Sequence, residues 1–223
     1  MPVLRVLSYN VRSLRDDPAA VARVVRACRP DVLCLQEAPR LLLWRTRRRR
    51  LARRCGLRTA VSRRAGGLAI LVRPGIGVGR RAHRRLSRRR GLHPRALSVA
   101  VLAVDGHQLT AAVSHLDLEP GARLEHAAEI LALLSVYDAP VVLAADVNEE
   151  PVGPAWRLLA ARLPDTGGTG PTFPARRPRK RIDGIFADPR LGVLASGVPR
   201  APLPADLASA TDHHPVLAEI ALR

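Results

Sequence analysis

The chain has 223 residues, of which 47% are hydrophobic, and its formal net charge is +18. A chain of this length can bury roughly 70% of its unfolded surface, so it needs no disulfide or metal in order to fold. Its composition excludes global disorder, and no apolar run approaches the ~20 residues of a membrane-spanning helix.

The charge comes from 37 Lys and Arg residues against 19 Asp and Glu residues, and Lys180 is the single lysine. Such a basic surface favours a polyanionic partner: nucleic acid, anionic lipid or a phosphorylated small molecule. Arginines cluster in residues 45–54, 80–90 and 176–181. These clusters are either solvated faces or an electrostatic collar around an active site, and the third runs directly towards a candidate site residue.

The first 37 residues predict a strand–helix–strand unit. Residues 3–9 predict a strand that ends at Asn10, and Asp17-Pro18 predicts the start of a helix that reaches about Cys28. Residues 31–37 form a nearly continuous apolar run that predicts a strand buried on both faces and ending at Glu37. Two parallel strands joined in this way place Asn10 and Glu37 side by side at one edge of a sheet.

Apolar periodicity and turn residues predict the remaining elements. They are helices over residues 40–55, 119–137 and 155–163, strands over 67–72, 78–86, 97–104, 108–113, 141–145, 181–186 and 216–220, and an irregular loop over 166–178. Asp105-Gly106 predicts a hairpin turn between two of these strands. No linker interrupts the pattern, so we predict one domain over residues 1–223.

Because the first ten residues predict a strand, we expect no secretory signal. The three cysteines, Cys28, Cys34 and Cys55, are odd in number and lack zinc-site spacing, which indicates reduced thiols in the cytoplasm. We expect a monomer.

Polar side chains lie at the ends of six predicted strands. They are Asn10, Glu37, His115, Asp146 with Asn148, Asp183, and Asp212 with His213. Any one of them alone is ordinary, because polar residues often cap strands or begin turns. An acid inside a strand, such as Asp183, is less ordinary because a buried carboxylate needs a partner.

Together these groups suit the hydrolysis of a phosphate ester. Glu37 and Asp212 offer the hard oxygen ligands that Mg²⁺ or Mn²⁺ prefers, and Asn10 adds a neutral one. His213 could take a proton from water if a carboxylate such as Asp183 fixes its tautomer. His115 and Asn148 could donate hydrogen bonds to the phosphate.

Six segments resemble the endonuclease/exonuclease/phosphatase superfamily. They are Ser8-Tyr9-Asn10, Leu35-Gln36-Glu37, Ser114-His115-Leu116-Asp117, Asp146-Val147-Asn148, Arg181-Ile182-Asp183 and Thr211-Asp212-His213-His214-Pro215-Val216. They occur in the family's order and extend over nearly the whole chain. The resemblance implies an α/β fold, a four-layered α-β-β-α sandwich of two packed mixed sheets with helices on the outside. It also implies a phosphoesterase that uses Mg²⁺ or Mn²⁺.

The resemblance also implies roles for individual residues. Glu37 would be the main metal ligand, with Asn10 and Asp212 beside it. Asp183 would orient His213. Asp146 and Asn148 would position the nucleophile and stabilise phosphoryl charge, and His115 would contact the phosphate or act as a general acid. Either His213 or Asp146 would be the general base.

The chain departs from the family pattern at three places, none of which removes a catalytic group. Ala145-Asp146-Val147-Asn148 lacks the usual glycine and aromatic residue, Val113 replaces a frequent asparagine, and Arg179-Lys180 stand where abasic-site endonucleases have a tryptophan. These departures weaken assignment to the DNA-repair branch.

Three functions remain open. The charge and the polar set favour a nuclease, and the low aromatic content of 3% favours contact with the backbone over reading of sequence. The first alternative is a phospholipid or inositol-phosphate phosphoesterase of the same fold. The second is a non-catalytic basic binding module, which the complete polar set disfavours.

Overall fold

The structure, a computed structural model, describes residues 1–168 and 170–222. Its strands are β1 (Val3–Asn10), β2 (Val32–Gln36), β3 (Arg58–Arg63), β4 (Leu68–Val72), β5 (Gly77–Arg85), β6 (Ala96–Val104), β7 (His107–His115), β8 (Val141–Asp146), β9 (Asp183–Ala187), β10 (Gly192–Gly197) and β11 (Val216–Ala221). Its α-helices are α1 (Pro18–Cys28), α2 (Trp44–Arg54), α3 (Pro120–Leu134), α4 (Pro154–Arg162) and α5 (Pro204–Ala210).

The strands form two mixed sheets. The first has six strands in the order β10-β11-β1-β2-β4-β3, and the second has five in the order β5-β6-β7-β8-β9. Each sheet contains one parallel pair, β1 with β2 and β7 with β8, and its other neighbours are antiparallel.

Alternate side chains of the strands point into different apolar layers. Leu4 and Val6 of β1 meet Val142 and Ala144 of β8 between the two sheets. The intervening side chains of the first sheet pack beneath α1, α2 and α5, and those of the second sheet pack beneath α3 and α4 around Trp156. The molecule is therefore an α-β-β-α sandwich, and the predicted fold class is confirmed.

The helices begin where their capping residues predict. Asp17 accepts hydrogen bonds from the backbone nitrogens of Ala19 and Ala20, and Pro18 takes the first helical position of α1. Glu119 caps α3 in the same manner, and again a proline follows the cap. No helix in residues 1–168 and 170–222 has the length and apolar character required to cross a membrane.

Three elements were missing from the sequence prediction: β3, β10 and α5. The strands β3 and β10 are the edges of the first sheet and carry many exposed positions, so they lack a clear apolar pattern. α5 has only seven residues. The prediction that α2 begins near Arg40 was wrong by four residues, because Leu43 adopts a left-handed conformation with φ 56° and the helix starts after it.

Gly184 gives a test of the packing behind the second sheet. A Cβ there would lie 2.7 and 2.8 Å from two ring atoms of Trp156. The indole is fully buried and donates a hydrogen bond of 3.1 Å to Asp165, so it has little freedom to move. We expect Gly184→Ala to lower the free energy of unfolding by about 1–3 kcal/mol in urea denaturation. Gly79→Ala, whose Cβ would have 3.6 Å to its nearest neighbour, is the control and should change little.

Candidate active site

Strand alternation brings four candidate residues together at one end of the sandwich. Asn10, His115 and Asp146 are the final residues of β1, β7 and β8, and each continues the series of side chains that point between the sheets. Asp183 is the first residue of β9, not a mid-strand residue as predicted, and it pairs across the ladder with Asp146. His115 pairs with Asp146 on the other side.

Asp183 and His213 form a buried hydrogen-bonded pair. Nδ1 of His213 lies 2.9 Å from Oδ2 of Asp183, so the carboxylate fixes the proton on Nδ1 and leaves Nε2 facing the cleft. Burial opposes the charged form of the imidazole, but the carboxylates of Asp183, Asp146 and Asp212 outweigh it and raise the pKa of His213 to about 10. The ring of Phe173 packs against the imidazole, with centroids 5.0 Å apart.

Asp146 is the central group of the site. Its Oδ2 accepts a hydrogen bond of 2.8 Å from Nδ2 of Asn10 and lies 3.4 Å from Nε2 of His115 and 3.9 Å from Nε2 of His213. Its Oδ1 accepts a hydrogen bond of 3.1 Å from the backbone nitrogen of Asn148. One carboxylate thus contacts groups from both sheets, so small shifts between the sheets would change the site.

His115 is held as a neutral ring. The side-chain amide of Asn148 donates to Nε2 of His115 at 2.9 Å and to the carbonyl oxygen of Leu116 at 3.0 Å. This arrangement requires an unprotonated Nε2, and burial lowers the pKa of His115 to about 3, although Asp146 acts in the opposite direction. The geometry therefore favours a role for His115 as a neutral hydrogen-bonding group and not as a general acid.

Glu37 follows directly on β2 and takes a left-handed backbone conformation with φ 46°. Gly67 leaves room for the backbone of Glu37 and Ala38, because it has no side chain. A Cβ at Gly67 would lie 3.3 Å from the carbonyl oxygen of Ala38 and 3.5 Å from Cα of Glu37. The Gly67 carbonyl accepts a hydrogen bond from Ala38. Backbone strain of this kind in non-glycine residues is concentrated at functional sites.

The residues around Glu37 fit a hard divalent cation. Nδ2 of Asn10 lies 3.5 Å from Oε1 of Glu37 and also binds Asp146, so an amide links two carboxylates in one cleft. Although the chain has 37 Lys and Arg residues, Glu37 forms no ion pair with any residue from 1–168 or 170–222. An unpaired carboxylate in such a basic protein, beside other oxygen donors, suits Mg²⁺ or Mn²⁺.

A second grouping, Asp146, Asp183 and His213, also has ligand-type atoms within 4.8 Å of one another. We interpret it as a hydrogen-bonded system and not as the ligand set, because Nδ1 of His213 and Oδ2 of Asp183 are already hydrogen-bonded to each other, although Oδ1 of Asp183 has no partner among the described residues. A metal bound through Nδ1 of His213 or Oδ2 of Asp183 would have to break this buried hydrogen bond.

Asp212 is the predicted site residue that the structure places least centrally. Its side chain is half exposed, and its Oδ2 lies 3.3 Å from Nε of Arg12. It does not line the cleft that contains Glu37, Asp146 and His213. Its predicted contact with a metal would require the pair with Arg12 to open.

The site lies in a cleft of about 330 Å³, and its lining includes residues that the sequence analysis did not assign. They are Ser13, Arg15, Arg40, Gly66, Gly67, His93, Arg95 and Leu118. Arg95 is nearly buried, lies 3.5 Å from the carboxylate of Asp117, and the two side chains form an ion pair below the cleft. Asp117 belongs to the family-like segment Ser114-His115-Leu116-Asp117, which is a reason to expect it near the site. No sequence pattern indicated that Arg95 would line the cleft.

A second cleft of about 550 Å³ adjoins the first and shares Arg40, Gly66 and Arg95 with it. Its lining adds Arg64, Arg85 and Arg88 and, within residues 1–168 and 170–222, includes no acidic residue. The central arginine cluster of the sequence therefore contributes to a basic cleft beside the site. The third cluster does not line either cleft, and its Arg181 instead forms a bidentate ion pair with Asp165.

The Asp183–His213 pair predicts a pH dependence of stability in metal-free protein. The pKa of His213 is raised to about 10 in the folded state, against ~6.5 for an unperturbed histidine. Its stabilising contribution is therefore complete below pH ~6.5 and is lost as the pH rises towards 10. In urea denaturation with a chelator present, the stability difference between the wild type and His213→Gln should be larger at pH 6 than at pH 10. An equal difference at both pH values would contradict the charged pair.

Solved structures share this fold over the whole chain. An endonuclease/exonuclease/phosphatase of Bacteroides vulgatus has a TM-score of 0.83 at 20% identity, covering 100% of both chains. A mannosyl-6-phosphatase of Bacteroides thetaiotaomicron has a TM-score of 0.82 at 20% identity, covering 98% of this chain and 100% of that one. The human Nocturnin catalytic domain has a TM-score of 0.74 at 18% identity, covering 100% and 94%. No curated protein matched the chain.

An α-β-β-α sandwich with carboxylates, amides and histidines at the ends of its central strands defines a class of phosphoester hydrolases. A sequence profile of the Endonuclease/Exonuclease/phosphatase family matches residues 7–213. The chain belongs to this family, whose members are phosphoester-hydrolysing enzymes that generally depend on a divalent metal.

Proposed function

We propose that the protein is a Mg²⁺-dependent hydrolase of phosphate esters and that nucleic acid is its substrate. The observation that carries the proposal is a connected set of side chains at one cleft. Glu37, Asp146 and His213 line the cleft, Asn10 joins Glu37 to Asp146, and Asp183 is hydrogen-bonded to His213. The sequence places the members of this set at or near the ends of different predicted strands. We further propose a cytoplasmic monomer.

In this proposal Glu37 and Asn10 hold the metal, and Asp212 joins them once it leaves Arg12. Mg²⁺ fits because carboxylate and amide oxygens can supply the donors, once the Asn10 amide turns so that Oδ1, which accepts from the backbone nitrogen of Arg12, faces Glu37. When bound, the metal supplies Lewis-acid polarisation of a phosphoryl oxygen and neutralises developing negative charge.

The side chains divide the remaining work between proton transfer and charge stabilisation. Protonated His213, oriented by Asp183, donates from Nε2 to a phosphoryl oxygen. Asp146, whose Oδ2 lies 3.9 Å from that nitrogen, then accepts the proton of the attacking water. Asn148 positions neutral His115 against the phosphate.

The adjoining basic cleft supports an extended polyanionic substrate. Its five arginines could bind successive backbone phosphates, and no Phe, Tyr or Trp among the described residues lines either cleft. Without aromatic platforms for base stacking, we expect contact with the phosphodiester backbone and cleavage that depends little on sequence.

A second candidate substrate is a phospholipid or inositol phosphate. It is favoured by exposed apolar side chains at the mouths of the clefts, since Leu118 and Leu41 are 68% and 67% exposed. These two residues would contact acyl chains more readily than they would contact nucleic acid.

A panel of phosphoesters tests the proposal. We expect purified protein with Mg²⁺ to degrade plasmid, single-stranded DNA or RNA at a rate that Asp146→Asn abolishes. Release of phosphate or a head group from phospholipid, inositol phosphate or a sugar phosphate, without nuclease activity, would favour the second candidate. If no substrate turned over while nucleic acid still bound, the protein would be a non-catalytic binding module.

A further inference from the structure

Three consecutive leucines project into solvent beside the clefts. Leu41, Leu42 and Leu43 are 67%, 86% and 66% exposed, and the half-buried Trp44 follows them. Single exposed apolar residues are common on soluble proteins, but a contiguous run of this kind marks an interaction surface. The run begins one residue after Arg40, which lines both clefts.

The buried side chain of Arg48 keeps these leucines exposed, because it fixes the backbone that precedes them. This side chain is only 3% exposed and donates hydrogen bonds to the carbonyl oxygens of Pro39 and Ala38 at 2.8 and 3.1 Å. It also donates to the carbonyls of Arg63 and Leu68 at 2.9 Å each. Arg48 therefore ties the segment before the leucines to β3 and β4, and the leucines are left outside the core.

The leucines lead directly into a helix that is almost entirely basic on its outer face. α2 contains no acidic residue, and apart from buried Arg48 its arginines are exposed: Arg45, Arg47, Arg49, Arg50, Arg53 and Arg54. Leu51 and Ala52 hold the opposite face of the helix against the first sheet. None of these exposed arginines forms an ion pair with a carboxylate of the described residues. Arg47 donates to the carbonyl oxygens of Ser13 and Leu14, and the charge of the others is available to an external partner.

We propose that Leu41–Trp44 and α2 form a docking surface for an anionic lipid bilayer. Leucine side chains would enter the interface between head groups and acyl chains, where Trp44 also fits, and the α2 arginines would bind lipid phosphates. Two such signals are needed together, because a small apolar contact alone gives only weak membrane binding.

A bilayer accounts for both halves of this surface better than nucleic acid does. A nucleic acid offers phosphates to the arginines but nothing that would desolvate three adjacent leucines. Binding to a bilayer does not depend on which phosphate ester the site cleaves. The proposal therefore goes beyond the proposed function and does not rest on it. Docking in this orientation would place the mouths of both clefts next to the membrane surface.

Vesicle sedimentation at physiological salt tests the surface. We expect wild-type protein to bind phosphatidylcholine vesicles that contain roughly 30% phosphatidylserine and not to bind pure phosphatidylcholine. The variants Leu41→Ser/Leu42→Ser/Leu43→Ser and Arg49→Glu/Arg53→Glu should each bind at least about tenfold more weakly. Arg157→Glu/Arg162→Glu is the matched control, because it makes the same charge change on exposed positions of α4, over the other sheet. Circular dichroism should show all variants folded.

Tryptophan fluorescence provides a second readout of vesicle binding. The chain has two tryptophans, and Trp156 is 1% exposed, so a blue shift on adding anionic vesicles reports Trp44. Trp44→Phe should abolish the shift. The proposal would be overturned if anionic vesicles did not bind, if the leucine variant bound as well as wild type, or if Arg49→Glu/Arg53→Glu impaired retention of DNA while vesicle binding was absent.

Discussion

Replacement of Glu37 by glutamine is expected to lower the rate of phosphoester hydrolysis by about 10³-fold. Glutamine keeps the shape and the contact with Asn10 but removes the negative charge that we assign to metal binding. Loss of a metal's charge stabilisation costs several kcal/mol in the transition state, and each ~1.4 kcal/mol is a factor of ten in rate. Electron paramagnetic resonance of added Mn²⁺ should show weaker binding by the variant, which separates metal affinity from the chemical step.

The control for this change is Glu150→Gln, because Glu150 is an exposed acid on the loop that follows the site residue Asn148. It should retain nearly wild-type rate and Mn²⁺ affinity. If Glu37→Gln bound Mn²⁺ normally and hydrolysed substrate at the wild-type rate, the metal assignment at Glu37 would be wrong.

His213→Gln should reduce hydrolysis by about 10²–10³-fold, the usual range for loss of a hydrogen-bond donor to charge that develops in the transition state. Asp183→Asn should produce a comparable loss, because the amide can no longer stabilise the charged imidazole that lies 2.9 Å away. Since the two residues act as one unit, the double variant should be little worse than either single variant. Single-turnover rates of the four proteins would measure this.

His214→Gln is the matched control for the pair, because His214 is the adjacent histidine in the chain and contributes nothing to the lining of the cleft. We expect its activity to stay close to that of the wild type. Fully additive losses in the double variant, or an equal loss in His214→Gln, would show that Asp183 and His213 do not work together.

Most of the fold and the grouping of the site residues could be predicted from sequence for one physical reason. In a half-buried strand every second side chain faces the same layer, so a polar residue that ends an apolar series, such as Asn10 or Asp146, is placed between the sheets. The family resemblance then implied two packed mixed sheets with helices on the outside. The remaining site residues depend on contacts that sequence does not display: Arg95 reaches the cleft through its pairing with Asp117.

The segment that the sequence misrepresented most is Arg40–Trp44. Its leucines continue the apolar character of a helix, and a helix was predicted from Arg40. The buried Arg48 guanidinium instead donates to four backbone carbonyls, two of which belong to Ala38 and Pro39, so the segment before the leucines is held outside the helix. These hydrogen bonds join residues up to 20 positions apart in the chain. A buried arginine within a run of exposed arginines cannot be recognised from composition alone.

The central claim is that a divalent metal held near Glu37 is required for phosphoester hydrolysis in this cleft. The most direct measurement is the initial rate on the DNA, RNA and phosphoester panel, after treatment with a chelator and again after Mg²⁺ is restored. We predict that hydrolysis stops with the chelator, returns with Mg²⁺ in the wild type, and fails to return in Glu37→Gln. An unchanged rate in metal-free protein, or full recovery of Glu37→Gln, would contradict the claim.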